Sequence, residues 1–278
     1  MRGARFGAGA KRLLTRHLPR QRNSWLISRL DRLCVAFHQA YENHSYDFHD
    51  NGERFVLEML ARQPNVSVVF DVGANIGDWA MMAAPMFPGA AIHAFEIIPE
   101  TYEAMRIRCA ELGAVHPHPF GLSDTYGEVS VFYPKELSVV SSCVPDIARM
   151  LLEVETTTVV GKVTTGDRFC AEQGIDHIDF LKVDVEGFEP QVVRGFQGML
   201  ASGKIGMIQF EYGYANVMTR FLLKDFYELL EPCGMKIGKI FPDHVEFRDY
   251  DLRQEDFLGP NYLAVHATMT GLLRDLAN

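Results

Sequence analysis

The chain has 278 residues, 47% apolar and 23% charged, an ordinary globular composition that can bury a substantial core without disulfides or metals. Eight of its 27 Lys and Arg residues fall within the first 30 positions, and none of its 36 Asp and Glu residues do. The remainder is strongly acidic, which argues against nucleic acid as the main partner, because phosphate binding needs a basic face.

The five cysteines (Cys34, Cys109, Cys143, Cys170 and Cys233) are scattered and form no CxxC pair. Reduced thiols in a cytoplasmic setting are expected, not a disulfide framework or a zinc site. The start of the chain lacks the 7–15-residue apolar core of a secretory signal. The longest uncharged stretch, Trp79 to Phe95, is broken by Pro85, Pro88 and Gly89, so no transmembrane helix is expected.

Residues 1–23, rich in Arg, Gly and Ala, read as a flexible basic tail. Their acid-poor character also suits a weak membrane-surface contact or a transit peptide. Residues 24–63 read as an N-terminal helical cap, from Trp25, Leu26, Leu30, Leu33 and Phe37 and then Phe55, Val56, Met59 and Leu60 at helical spacing. Between them lies the polar, turn-prone HSYDFHDNGE. Its His44, Asp47, His49 and Asp50 lack regular ligand spacing, and no metal site is expected there or elsewhere.

Residues 64–278 form the main domain. SVVFDV (67–72) is a strand, followed by a glycine-rich turn and a helix ending near Phe87. AIHAFE (91–96) is the next strand, and Pro99 opens a helix through Leu112, at a position where its missing N–H is not needed. VHPHPFGL (115–122) is a weaker strand whose His116 and His118 read as surface or packing residues. GEVSVFYP (127–134) and ETTTVVGKVTT (155–165) read as an antiparallel excursion around a loop at 135–154. IDFLKVDV (178–185) and IGMIQFEY (205–212) are buried strands, each followed by a helix, and MKIGKIF (235–241) and NYLAVHA (261–267) close the chain. Strand–helix alternation with apolar strands predicts an α/β fold, a Rossmann-like doubly wound sheet.

The strongest local signal is DVGANIGD (71–78), placed between a strand and a helix. Gly73 and Gly77 let the backbone turn and approach a ligand closely. The helix that begins there points free N–H groups at that ligand. Glu96 ends the second strand, where a carboxylate can accept from both hydroxyls of a ribose. The loop lacks the third glycine of GxGxxG, and Asp71 is placed to meet an ammonium or water instead of a pyrophosphate.

LKVDVEGFE (181–189) is the second dense motif. Lys182, Asp184, Glu186 and Glu189 lie at the carboxyl end of a central strand, where open α/β sheets bind ligands. Buried charges there need partners or a cleft. The carboxylates could orient or deprotonate an alcohol; alternatively, Lys182 pairs with one of them and Glu189 caps the next helix. Glu211, with Tyr212 or Tyr214, opens onto the same rim as a contact for an acceptor.

Taken together, FDVGANIGDW (70–79), FEIIPE (95–100), GLSD (121–124), TTGDRF (164–169), IDFLKVDVEGFE (178–189), IQFEYG (208–213) and NYLAV (261–265) resemble the FkbM family of S-adenosylmethionine-dependent methyltransferases. The resemblance covers roughly residues 50–266. It implies a class I methyltransferase fold, mostly parallel with an antiparallel last strand. It implies cofactor contacts at Asp71, Gly73, Asn75, Gly77 and Glu96, with Ser123 and Asp124 near the adenine. It also implies transfer of a methyl group to a hydroxyl of a sugar, glycan or related natural product. Two other readings stand beside it: an NAD-dependent oxidoreductase on a similar sheet, and a non-catalytic S-adenosylmethionine- or glycan-binding module.

Overall fold

The computed structural model describes residues 8–134, 142–144 and 155–278. The chain divides into two compact units, Met1–His44 and Ser45–Asn278. The first holds α1 (Ala8–His17) and α2 (Trp25–Tyr41), separated by a 3-10 turn at Leu18–Gln21. Residues 8–21, expected as a flexible tail, are thus helical. Ala, Leu, Lys and Arg favour the helix, and Pro19 enters only at the 3-10 turn that follows.

The second unit opens with α3 (Glu53–Ala61), whose Val56, Leu57 and Leu60 are buried. The stretch expected as one cap over 24–63 is therefore divided, with its first helix in the small unit and its second in the sheet-bearing one.

From there the chain alternates as expected: β1 (Val68–Val72), α4 (Asp78–Ala83), β2 (Ala91–Phe95), α5 (Pro99–Arg108) and β3 (Val115–His118). The helix expected to reach Phe87 gives way to a 3-10 turn at Ala84–Met86, where Pro85 cannot donate a helical hydrogen bond. A small three-stranded sheet follows, β4 (Gly121–Ser123), β5 (Gly127–Pro134) and β6 (Thr156–Thr165), in which β6 runs antiparallel to β5 and parallel to β4. The loop expected at 135–154 lies outside the described residues except for 142–144. The chain continues with α6 (Gly166–Gln173), β7 (Ile178–Val183), α7 (Glu189–Arg194), α8 (Gln197–Ala201), β8 (Ile205–Glu211), α9 (Ala215–Thr219), α10 (Leu223–Leu230), β9 (Met235–Ile240), β10 (Val245–Phe247), β11 (Asn261–His266) and α11 (Thr270–Leu276).

The main sheet has eight strands in the order β3-β2-β1-β7-β8-β11-β9-β10. β1, β2, β3, β7 and β8 are mutually parallel, and β11 is antiparallel to both neighbours. This is the doubly wound, Rossmann-like sheet with the antiparallel last strand expected from the sequence. Apolar residues cover both faces. Phe70 and Leu181 feed one core cluster, and their chain neighbours Val69 and Phe180 feed the other. Chain order reverses between β1 and β7, so the crevice beyond their carboxyl ends is where such a sheet binds ligands. Among the described residues no helix is long and apolar enough to cross a membrane.

Candidate active site

The turn after β1 is shaped by one close approach. Gly73 has φ +85°, and a Cβ there would stand 1.9 Å from the Asp184 carbonyl oxygen. Only glycine lets the end of β1 lie against the end of β7 in this way. The N–H groups of Gly73 and Ala74 both donate to the Phe95 carbonyl, at 3.0 and 2.9 Å, which ties the turn to β2. The Asn75 N–H then donates to Glu96 Oε2 at 3.0 Å, and the Ile98 N–H donates to Glu96 Oε1 at 2.8 Å. Glu96 is 7% exposed, and burial pushes its carboxyl up to about 7 despite those amides. The Ile97 amide also faces this carboxylate, and of its about four acceptor sites at least one remains for a hydroxyl of a ligand.

Two adjoining cavities, of ≈ 230 and ≈ 200 Å³, share Tyr46, Gly73, Asn75, Asp184 and Glu211 in their walls. Glu96 lines the first, beside apolar Ile97, Leu122, Val131, Val163 and Phe188. Asn51, Glu53, Trp79, Lys182 and Asn261 line the second. Glu53 is buried in a network of amides: Asn51 Nδ2 and Asn261 Nδ2 donate to its Oε1 at 2.9 and 3.0 Å, and Gln209 Nε2 donates to its Oε2 at 2.7 Å. Lys182, 5% exposed, donates to Asp184 Oδ2 at 2.6 Å and lies 3.8 Å from Asp71 Oδ1. Charges from Asp184, Asp71 and Glu53 hold this ammonium well above its usual range, against its burial.

Asp184 and Glu211, in the walls of both cavities, stand with Glu186 of the first, each offering a carboxylate oxygen within 4.8 Å of the others. Three oxygens this close can grip one cation or one hydroxyl hydrogen. Burial, then the Asp184 charge, push Glu186 up to about 8 and raise Glu211 well above the carboxylate range. Tyr46 faces the same group; burial and the charge of Glu211 raise its phenol.

The expected site residues divide sharply. Gly73, Asn75, Glu96, Lys182, Asp184, Glu186 and Glu211 line the cavities. Asp71 does not; it is fully buried beneath the floor, neither oxygen has a hydrogen-bond partner among the described residues, and burial lifts it to about 6. Gly77 faces helix α5, where a Cβ would meet Cys109 Sγ at 2.9 Å, so its glycine serves packing and not ligand approach. Glu189 is also buried, and its Oε1 accepts from the N–H groups of Val185 and Gly187 at 3.1 Å, which closes the turn after β7. Ser123 and Asp124 line neither cavity, and the Ser123 hydroxyl donates to Asp124 Oδ1 at 3.2 Å. Tyr212 points into the core, where its hydroxyl donates to Glu255 at 2.5 Å, and Tyr214 lies exposed outside both cavities.

Sequence reasoning missed Tyr46, Asn51, Glu53, Trp79 and Asn261. A Glu opening an apolar-periodic helix, two residues after an Asn, was the one local signal for Glu53 and its partner.

The lining residues also decide which cofactor fits. Among those described, the carboxylates are Glu53, Asp78, Glu96, Asp184, Glu186 and Glu211, and the cation is Lys182. Such walls suit a ligand with a sulfonium and an ammonium, and they repel a pyrophosphate.

A family model described as "Methyltransferase FkbM domain" matches residues 71–237, more than half of the chain. The chain is 28% identical over 198 residues to methyltransferase sdnD of Sordaria araneosa, covering 62% of this chain and 71% of that protein. It is 28% identical over 165 residues to hexuronic acid methyltransferase AglP of Haloferax volcanii (58% and 64% covered). It is 32% identical over 157 residues to 31-O-demethyl-FK506 methyltransferase FkbM of Streptomyces tacrolimicus (47% and 59% covered). The match thus spans less than two thirds of the latter two proteins. Among solved structures, fibrillarin of Aeropyrum pernix with natively bound S-adenosyl-L-methionine aligns at 13% identity and a TM-score of 0.39, over 76% of this chain and 73% of that one. The chain belongs to the FkbM family of methyltransferases, with S-adenosylmethionine as its cofactor.

Proposed function

We propose that the protein methylates a hydroxyl oxygen of a sugar, glycan or related natural product. The observation that carries this reading is the carboxylate group of Asp184 and Glu211, shared by the two cavities, and Glu186 of the first. The Gly73–Asn75 turn and Glu96 would hold S-adenosylmethionine, which when bound would supply a methyl group on a cationic sulfur. Glu96 would accept from a ribose hydroxyl, and the acidic floor around Asp71 and Glu53 would favour the cofactor's positive charge. The alcohol acceptor needs a partner for its proton. Asp184, fixed by Lys182, accepts a hydrogen bond from the acceptor hydroxyl and aims its oxygen. Glu186, in its ionised form, takes the hydroxyl proton as the oxygen gains the methyl group and the sulfur gives it up; burial, then the Asp184 charge, raise this carboxyl, so transfer should quicken as pH rises. An anionic acceptor group would meet the acidic wall around Asp184, which disfavours a carboxylate acceptor and a nucleic-acid backbone.

The names of two relatives support an oxygen acceptor on a natural product: one acts on 31-O-demethyl-FK506 and the other on a hexuronic acid. The methyltransferase family match weighs against the oxidoreductase reading, and the acidic cavity walls disfavour a ligand that carries phosphates.

Calorimetry tests the cofactor half of this proposal. S-adenosylhomocysteine binds and NAD does not, and Glu96→Ala weakens the former by about 1.5–3 kcal/mol, the scale of hydrogen bonds to a charged group. Wild-type affinity in that variant would remove Glu96 from the site. Cofactor binding without turnover on any member of a sugar panel would favour a binding module over an enzyme.

A further inference from the structure

Helix α2 carries an apolar stripe. Leu26, Leu30, Leu33, Phe37 and Tyr41 recur every three or four residues and are 50–71% exposed. No residue of α2 is buried. Flanking this stripe, and in α1 and the turn before it, are Lys11, Arg12, Arg16, Arg20, Arg22, Arg29 and Arg32, against Asp31 and Glu42 as the acids of residues 8–44. Leu13 and Leu14 of α1 are exposed as well.

We infer that this N-terminal unit docks on the surface of an anionic lipid bilayer, with α2 lying in the plane of the interface and its stripe turned into the acyl region. The argument is one of complementarity. An interfacial helix combines a Leu- and Phe-bearing face with arginines on the rest of its surface. The arginines on α2 bar it from spanning the bilayer, and they give anionic headgroups a partner. A second copy fits less well. The 17 residues of α2 make just over two heptads, short of the ~3–4 that sustain a coiled coil. Pairing would also bring two basic units together.

The test uses the full chain and sedimentation with vesicles of phosphatidylcholine alone or mixed with phosphatidylglycerol. Phosphatidylglycerol raises the vesicle-bound fraction about tenfold or more, and added salt reverses the gain. Leu30→Glu combined with Phe37→Glu abolishes binding while affinity for S-adenosylhomocysteine is unchanged. Arg29→Gln with Arg32→Gln, which leaves the stripe intact, lowers binding to the mixed vesicles and removes part of the salt dependence. Equal, weak sedimentation with both vesicle types would overturn the inference. So would a dimer in size-exclusion chromatography that the Leu30→Glu, Phe37→Glu variant converts to monomer while vesicles never bind, because the stripe would then be covered by protein.

Discussion

Helix α3 buries Val56, Leu57 and Leu60, whereas α2, which ends twelve positions before α3 begins, buries nothing. Both show apolar residues at helical spacing, and the period alone does not separate them. The difference lies in what the rest of the chain supplies. α3 belongs to the sheet-bearing unit and joins a core cluster with Phe180, Leu263, Leu272 and Leu276. Its first residue, Glu53, is tied by amides from Asn51, Gln209 and Asn261. α2 has no buried residue, and the small unit that holds it carries seven basic residues within positions 8–44. An apolar period therefore identifies a face but not its partner, and an uncovered face beside a cluster of arginines is suited to binding.

Four measurements sharpen or break that contrast. Leu57→Ala should lower the stability of the sheet-bearing unit by about 2–5 kcal/mol in urea unfolding, the cost of a cavity in a packed core. A loss below 1 kcal/mol would mean that α3 is not integral to that core. Glu53→Ala should cost about 1–3 kcal/mol, because three buried amides lose their acceptor. An unchanged unfolding midpoint would show the network to be dispensable.

The third measurement concerns the cleft beside α3. Glu96 and Glu189 at about 7 and Glu186 at about 8 all lie above the ordinary carboxylate value. The folded chain then holds protons that the unfolded chain has released. Stability from these groups is full below the unfolded value and is lost as pH rises through the folded one. Ligand-free protein should therefore lose on the order of 1 kcal/mol between about pH 7 and pH 8.5. His93 and His118, lowered to about 4 by burial, are neutral when folded throughout that window and contribute little to the slope. A melting temperature that rises across the window would contradict these assignments. The smallest effect belongs to α2: Leu33→Ala should change unfolding free energy by no more than about 0.5 kcal/mol, as for other exposed positions. A cost near that of Leu57→Ala would show that α2 is covered.

The order of strands and helices was legible because buried parallel strands leave short apolar runs separated by glycine and proline. Gly73, Glu96 and Asp184 were legible for a similar reason: each ends or follows a strand, and open sheets bind ligands there. The neighbours were harder. Glu211 and Tyr212 are adjacent, but successive side chains of an extended segment point in opposite directions, so the glutamate enters the cleft and the tyrosine enters the core. Glu189 was readable as an acid near the cleft, although its hydrogen bonds to the turn amides became evident only from the fold. The Glu53 network was illegible because its partners lie 156 and 208 positions along the chain. No local pattern encodes such pairs.

The most direct test follows labelled methyl from S-adenosylmethionine into a panel of hexoses, uronic acids and their glycosides, and then exposes the product to mild alkali. Hydroxyl methylation gives an ether, so the label should survive alkali, and Glu186→Gln should retain affinity for S-adenosylhomocysteine while losing transfer. Label released by alkali would identify a carboxylate ester, and full transfer by Glu186→Gln would place the base elsewhere; either result would contradict the account of the acidic rim.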